Sequence, residues 1–179
     1  MSRRFSPDAA RRPAPLDADR LQTLAIAYVG RYATTRAKLA QYLDRKLAMR
    51  GWEGEDAPPV AAIVDRCAAL GYVDDAAFAA ARGAALGRRG YGARRVVQAL
   101  RAAGIDSDDA APVEQAARED ALQAALAFAK RRHIGPFSRE EEINLDQRRR
   151  GFFALLRAGH DPEIARRVAY AGKGSSLDV

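Results

Sequence analysis

The stretch that decides the fold is GYGARRVVQALRAAGI, residues 90–105. At about 100° per residue, the apolar side chains from Val96 to Ala103 fall on one side of a helix predicted over 93–103. Gly104 ends this helix, because glycine adopts the left-handed conformation cheaply and the bulky Ile105 can pack back onto the last turn. The stretch therefore predicts a short amphipathic helix with a glycine stop.

The same ending occurs three times in the chain. Gly51, Gly104 and Gly159 each close a helix of similar character, and they lie 53 and 55 residues apart. Repetition at such a period is typical of a tandem array of small helical units. The apolar periodicity predicts nine helices and no strand. The expected fold is all-α, with three tandem three-helix repeats forming an elongated, curved array.

The periodic and non-periodic segments define the expected organisation. The predicted divisions are a disordered arm at 1–16, repeat 1 at 17–73, repeat 2 at 74–118, repeat 3 at 119–170 and a disordered tail at 171–179. If the repeats are equivalent, Leu43, Leu100 and Leu155 occupy matching buried positions.

Local signals add four expectations. Thr34 or Thr35 caps the second helix, and Cys67 lies on an apolar stripe as a buried small hydrophobe. Ser138, with Glu141 three residues later, predicts a capping box that opens a helix running to residue 158. Pro112, if helical, is expected in the first turn of its helix.

The charge is unevenly placed. Lysine and arginine number 30 against 23 acidic residues, a net charge of +7, which favours an anionic partner. Residues 87–103 hold five positive charges and no negative one. The candidate contact residues, on or beside the three middle helices, are Lys38, Arg45, Lys46, Arg88, Arg89, Arg94, Arg95, Arg101, Arg148, Arg149, Arg150 and Arg157. A merely solvated face would mix signs, because i,i+4 ion pairs stabilise a helix and like charges destabilise it. The pattern therefore indicates a partner surface.

Catalytic chemistry is not indicated. His133, His160 and Cys67 do not make a plausible zinc set, and GRRGYG follows no predicted strand and lacks the Lys-Ser/Thr ending of a phosphate loop. The acidic clusters sit at helix starts, where capping accounts for them. We expect no enzyme activity, no cofactor and no metal. No apolar run approaches the roughly 18 residues of a membrane span, and a single cysteine fits a reducing cytoplasm.

Several stretches resemble the RecX family of recombination regulators. GYVDDAAFA (71–79) and RGYGARRVVQALRAAGI (89–105) are similar to its central signature. RRHIGPF (131–137) and LLRAGHDPEIARRV (155–168) resemble its third repeat. TTRAKLAQYLDRKLAMRGW (34–52) is a looser match to the first, with Thr34-Thr35 in place of the more usual Pro and Ser.

The resemblance implies an all-α protein of three three-helix modules. Family members bind the RecA recombinase, especially its filament on single-stranded DNA, and restrain its recombinase, ATPase and coprotease activities in homologous recombination, DNA repair and the SOS response. The basic positions named above carry over as candidate contacts, and a monomer without membrane attachment is expected.

Two other functions are also compatible with the sequence. One is a direct DNA-binding protein that resembles helix-turn-helix domains and contacts single- or double-stranded DNA. Against it, only Gln41 and Gln98 on the basic helices are suited to reading bases. The other is a generic α-solenoid adaptor, whose charge would be incidental.

Overall fold

A computed structural model describes residues 14–177, and regular structure over this range is entirely helical. The helices run Ala18–Val29 (α1), Arg36–Arg50 (α2), Val60–Ala69 (α3), Asp75–Arg88 (α4), Ala93–Arg101 (α5), Ser107–Glu119 (α6), Ala121–Arg132 (α7), Leu145–Arg157 (α8) and Pro162–Tyr170 (α9), with a 3₁₀ helix at Gly135–Phe137. Residues 14–177 contain no strand, only one isolated bridge. The helices associate in threes, which confirms the predicted all-α fold of three-helix repeats.

The chain divides after Asp74 into two compact units. In the first, α1, α2 and α3 pack around the buried residues Leu16, Leu21, Ala25, Leu39, Leu43, Ile63, Val64, Cys67 and Val73. The Thr35 side chain accepts a hydrogen bond from the Lys38 N–H and caps α2, as predicted. Cys67 is buried in this core, as expected, and burial raises the pKa of its thiol.

The segment before α1 belongs to the first unit. Leu16 is fully buried; its N–H donates to the Gly51 carbonyl at 3.0 Å, and its carbonyl accepts from Glu53 at 2.9 Å. The Arg50 side chain also donates to the Ala14 carbonyl. The arm predicted for 1–16 is therefore wrong for residues 14–16, because Leu16 fills a core position beside the end of α2. Residues 1–13 lie outside the described chain.

The second unit contains α4 to α9. One core, between α4, α5 and α6, consists of Ala79, Leu86, Val96, Leu100, Ala103, Ile105 and Ala110. The other, between α7, α8 and α9, consists of Leu122, Ala125, Phe128, Ala129, Leu155, Ala158, Ala165, Val168 and Ala169. Leu43, Leu100 and Leu155 are each 0% exposed, which confirms that the three predicted positions are buried.

The glycine stops all have positive φ angles, as the sequence predicts. Gly51, Gly104 and Gly159 have φ angles of 82°, 69° and 89°. Side chains with a Cβ rarely adopt this region, so glycine is favoured at each stop.

Two local predictions are wrong. Helix α8 begins at Leu145, where the Asn144 side chain accepts from the Gln147 backbone N–H and the Gln147 side chain accepts from the Asn144 backbone N–H. The Ser138 hydroxyl instead accepts from Glu140 in a non-helical segment. Asn144 with Gln147 thus forms the capping box of α8, and Ser138 with Glu141 does not.

Pro112 lies in the second turn of α6 rather than the first. A proline there leaves the carbonyl of Asp108 without its usual helical donor. Both residues are exposed, so water can reach that carbonyl. Contacts of α6 with α4 and α5 keep the segment helical beyond the proline.

Over residues 171–177, the segment after α9 differs from the predicted disordered tail of 171–179; residues 178–179 lie outside the described chain. The Gly174 N–H donates to the Pro136 carbonyl at 2.9 Å, Lys173 pairs with Glu141, and Leu177 packs against the core of α7, α8 and α9. Residues 171–177 therefore lie against the second unit, held by contacts with the 3₁₀ helix region that no local pattern indicates.

Candidate partner-binding face

The start of α5 meets the end of α8 inside the second unit. The Gly92 N–H donates to the Ala158 carbonyl at 3.0 Å, and the Arg94 N–H donates to the Gly159 carbonyl at 3.1 Å. These donors and acceptors are among the groups that a helix leaves unpaired at its two ends. Each helix end therefore satisfies the other, and we call this contact the α5–α8 junction.

Two glycines allow the backbones to approach at the junction. A Cβ on Gly92 would overlap the Gly159 carbonyl and lie 2.5 Å from the His160 nitrogen. A Cβ on Gly159 would lie 2.6 Å from the Arg95 nitrogen. Gly92 and Gly159 are therefore required for this close packing between the second and third modules.

His160 completes the junction. It is 1% exposed, and its Nε2–H donates to the Gly90 carbonyl at 3.0 Å, because a carbonyl oxygen can only accept. Burial lowers the pKa of His160, and the hydrogen bond to Gly90 opposes that shift. Its ring also contacts Phe128 edge to face at 5.7 Å. His160 therefore packs in the core just beyond the end of α8.

The junction bears on the charge of α5. Arg94 and Arg95 occupy its first turn, where a helix macrodipole disfavours positive side chains. The C-terminal end of α8, which is the negative end of its dipole, lies beside this first turn. The Asp161 carboxylate lies 3.9 Å from the Arg94 guanidinium. These contacts offset the repulsion. The Arg94 side chain is still 66% exposed, so its guanidinium is available to a partner.

Arg94 and Arg101 lie on one side of α5 and share a cleft with a residue of α6. This cleft has a volume of about 440 Å³, and its lining residues are Ala93, Arg94, Val97, Gln98, Arg101 and Arg118. No carboxylate lines it. Arg118 forms an i,i+4 ion pair with Glu114 at 3.0 Å, yet its side chain is 56% exposed. Three arginines and a glutamine thus form a concave, hydrogen-bond-donating surface, which we call the α5 cleft.

Arg89 and Arg95 contact a different feature. Their guanidinium carbons lie 5.5 and 5.6 Å from the centre of the Tyr91 ring, within the range of cation–π attraction. Both arginines and Arg88 are exposed. The five basic residues predicted at α5 therefore divide into a pair on the α5 cleft, a pair on Tyr91, and Arg88.

On α8 the predicted residues have different environments. Arg148 is half-buried, and its guanidinium donates to the Ile143 and Tyr170 carbonyls, so it holds the ends of α8 and α9. Arg149, Arg150 and Arg157 are exposed. Arg150 also lines a cleft of about 370 Å³ with Arg132 and Arg139.

The first unit presents its own basic residues on α2. Arg45 is exposed, whereas Lys38 and Lys46 are half-buried. Arg45 and Lys46 lie 5.8 and 5.4 Å from the centre of the Tyr42 ring.

Sequence reasoning missed Arg118, Arg132 and Arg139. Arg118 lies at the predicted boundary between two repeats, so its sequence position did not indicate a role beside α5. The packing of α6 against α5 brings it beside Arg94. Arg132 closes a helix, where a positive charge is expected for dipole reasons alone. The one available signal was the acid-free RRH run at 131–133.

Two further findings concern residues 14–177. They contain no group of three or more His, Cys, Asp or Glu side chains that could hold a metal ion. None of their helices is long and apolar enough to cross a membrane.

These features define a class: an all-helical protein of three-helix modules that presents basic, acid-poor helix faces. Residues 74–112 match the family model described as RecX, second three-helix domain. The regulatory protein RecX of Myxococcus xanthus is 31% identical over 165 residues, covering 88% of each chain. That of Xanthomonas campestris pv. campestris is 34% identical over 119 residues, covering 66% of this chain and 69% of the relative.

The chain belongs to the RecX family of regulatory proteins. A crystal structure of RecX from Lactobacillus salivarius has the same fold, with a TM-score of 0.60 at 17% identity, covering 84% of this chain and 93% of that one.

Proposed function

We propose that this chain binds the RecA recombinase filament on single-stranded DNA and restrains its recombinase, ATPase and coprotease activities. Membership of the RecX family supports a regulatory role. The α5 cleft is the observation that carries the proposal further, because Arg94, Arg101 and Arg118 line it and no carboxylate does. A filament offers both acidic protein surface and DNA phosphate to such a cleft.

The proposed contact residues are the exposed members of the predicted set together with Arg118. Arg94 and Arg101 are seven residues apart on α5, a separation of about 10 Å along the helix axis. Gln98 lies between them on the same side and adds a neutral donor and acceptor. Two charges held on a rigid helix set the register of a partner better than charges on a loop would.

The binding experiment compares two targets. The protein is titrated onto labelled single-stranded DNA and onto the RecA filament assembled on the same DNA, each at two salt concentrations. We expect binding to the filament to be at least about tenfold tighter than binding to naked DNA, and to weaken as salt rises. Equal affinity for both targets would instead favour the direct DNA-binding alternative.

A further inference from the structure

The first unit carries an aromatic and cationic cleft that shares only Arg45 with the proposed filament contacts. Its volume is about 450 Å³, and its lining residues are Ala27, Tyr28, Arg31, Tyr32, Tyr42 and Arg45. We call it the tyrosine cleft. Three rings and two guanidinium groups line it, and no carboxylate does.

The three rings are held in a fixed arrangement. Tyr28 stacks on Tyr42, with ring centroids 4.1 Å apart and planes 17° apart. Tyr32 is tilted by 50° against Tyr28 at 5.3 Å. Its backbone N–H donates to the Tyr28 carbonyl at 3.0 Å, which fixes Tyr32 just beyond the end of α1. The cleft is therefore preorganised.

Packing in the core explains the positions of two of these tyrosines but not of the third. Tyr28 and Tyr42 pack against the buried residues of the first unit, whereas Tyr32 does not belong to that cluster. The Tyr32 side chain is 53% exposed. An exposed ring beside two other rings offers a face on which a planar group can stack.

The charges indicate what that planar group carries. Arg31 and Arg45 form no ion pair with an acidic residue among residues 14–177. Lys46 adds a third positive charge beside Tyr42. The acid nearest in sequence on α2, Asp44, lies about 200° around the helix from Tyr42. The cleft therefore suits a flat group joined to an anion.

We propose that the tyrosine cleft binds an unpaired nucleobase of a single-stranded polynucleotide, with the base on Tyr32 and an adjoining phosphate between Arg31 and Arg45. Stacking platforms beside a basic groove are the usual means of binding single strands without sequence preference. This site lies in the first unit and is separate from the α5 cleft, so it gives the chain a nucleic-acid contact of its own.

The test uses the full-length chain and no recombinase, so its outcome is independent of filament restraint. Fluorescence anisotropy measures binding of a labelled oligothymidylate of about 12 nucleotides. An abasic oligonucleotide with the same number of phosphates serves as the second probe. We expect the oligothymidylate to bind more tightly, because only it can stack.

Variants assign that preference to the cleft. Tyr32→Ala is expected to weaken oligothymidylate binding by about five- to a hundredfold and to remove the preference over the abasic probe. Tyr32→Trp is expected to retain the preference. Tyr72→Ala is the matched control, because Tyr72 is 55% exposed in the same unit and lies outside the cleft. The double variant Arg31→Gln with Arg45→Gln is expected to weaken both probes and to reduce their salt dependence.

Several outcomes would overturn the proposal. These are equal binding of the two probes by the wild-type chain, undiminished oligothymidylate binding by Tyr32→Ala, or an equal loss in Tyr72→Ala. Competition by oligoglutamate as strong as that by unlabelled oligothymidylate would assign the cleft to an acidic protein. Circular dichroism of each variant establishes that it is folded.

Discussion

Substitution of Gly92 by alanine should break the α5–α8 junction while leaving the backbone angles of that residue acceptable. Gly92 has φ −75° and ψ 165°, a conformation that alanine adopts freely. The new Cβ would nevertheless overlap the Gly159 carbonyl and lie 2.5 Å from the His160 nitrogen. These are backbone atoms, so no side chain can rotate away. The two helix ends must separate by about 1 Å to reach an ordinary contact distance of roughly 3.5 Å.

That separation sets the expected loss of stability. It would stretch the hydrogen bonds from Gly92 to Ala158 and from Arg94 to Gly159, now 3.0 and 3.1 Å, beyond bonding distance. The bond from His160 to Gly90 would be strained as well. At about 0.5–1.5 kcal/mol each, the three bonds together contribute roughly 2–4 kcal/mol. For a unit of about 100 residues this lowers the unfolding midpoint by about 10–30 °C.

Thermal and urea unfolding followed by circular dichroism measures the loss. Gly87→Ala is the matched control, because Gly87 lies within α4 and an added Cβ there meets nothing within 4 Å. It should stabilise the protein by up to about 1 kcal/mol through helix propensity. A Gly92→Ala protein within about 0.5 kcal/mol of wild type would refute the described approach of the two backbones.

Three further predictions follow from the same structure. Burial lowers the pKa of His160 below its ordinary value of 6.5, so at lower pH the unfolded chain binds more protons at this residue than the folded chain does. The unfolding midpoint should therefore drop between pH 7 and pH 5. His160→Gln should flatten this pH dependence, and an unchanged slope would contradict the lowered pKa of His160. Leu100→Ala should cost about 2–5 kcal/mol in urea unfolding, because Leu100 is fully buried, and a loss below about 1 kcal/mol would contradict its core position. The purified chain should neither hydrolyse ATP nor cleave DNA, and turnover abolished by a single substitution would overturn that expectation.

Much of the fold could be predicted because its signals are local. Gly104 after an apolar helix face, Thr35 before α2 and Leu100 on the apolar side of α5 each depend on a few neighbouring residues. The helix ends and apolar helix faces that these residues predict are much the same in an isolated helix and in a packed one. Tandem repetition strengthened these signals by presenting the same stop three times.

The errors arose where distant parts of the chain meet. Leu16 is buried because it pairs with the end of α2, and nothing near residue 16 indicates that partner. The start of α8 was misplaced because the cap forms at Asn144, six residues after Ser138. Pro112 is tolerated because α6 packs on both sides of it.

The candidate site was predictable by composition more than by geometry. The acid-free run from Arg88 to Arg101 indicated a basic surface, and most of those side chains are exposed. The sequence did not indicate that Arg118 joins Arg94, that Arg148 is engaged by backbone carbonyls, or that Tyr28 stacks on Tyr42. Each of these contacts depends on helix packing between segments far apart in sequence.

The decisive experiment on the α5 cleft measures inhibition of the RecA filament by a charge-reversed variant. Arg94→Glu with Arg101→Glu lowers the net charge from +7 to +3. The fold should survive, because both side chains are exposed and the pair with Asp161 at 3.9 Å is worth little. Arg82→Glu with Arg166→Glu makes the same change in net charge at exposed positions outside the cleft.

Filament ATPase and strand exchange are then measured against increasing concentrations of each folded protein. We predict that inhibition is lost in the α5 variant and retained in the control variant. Full inhibition by a natively helical Arg94→Glu, Arg101→Glu protein would contradict the proposed role of the α5 cleft. The basic face of α5 would then be an ordinary solvated surface.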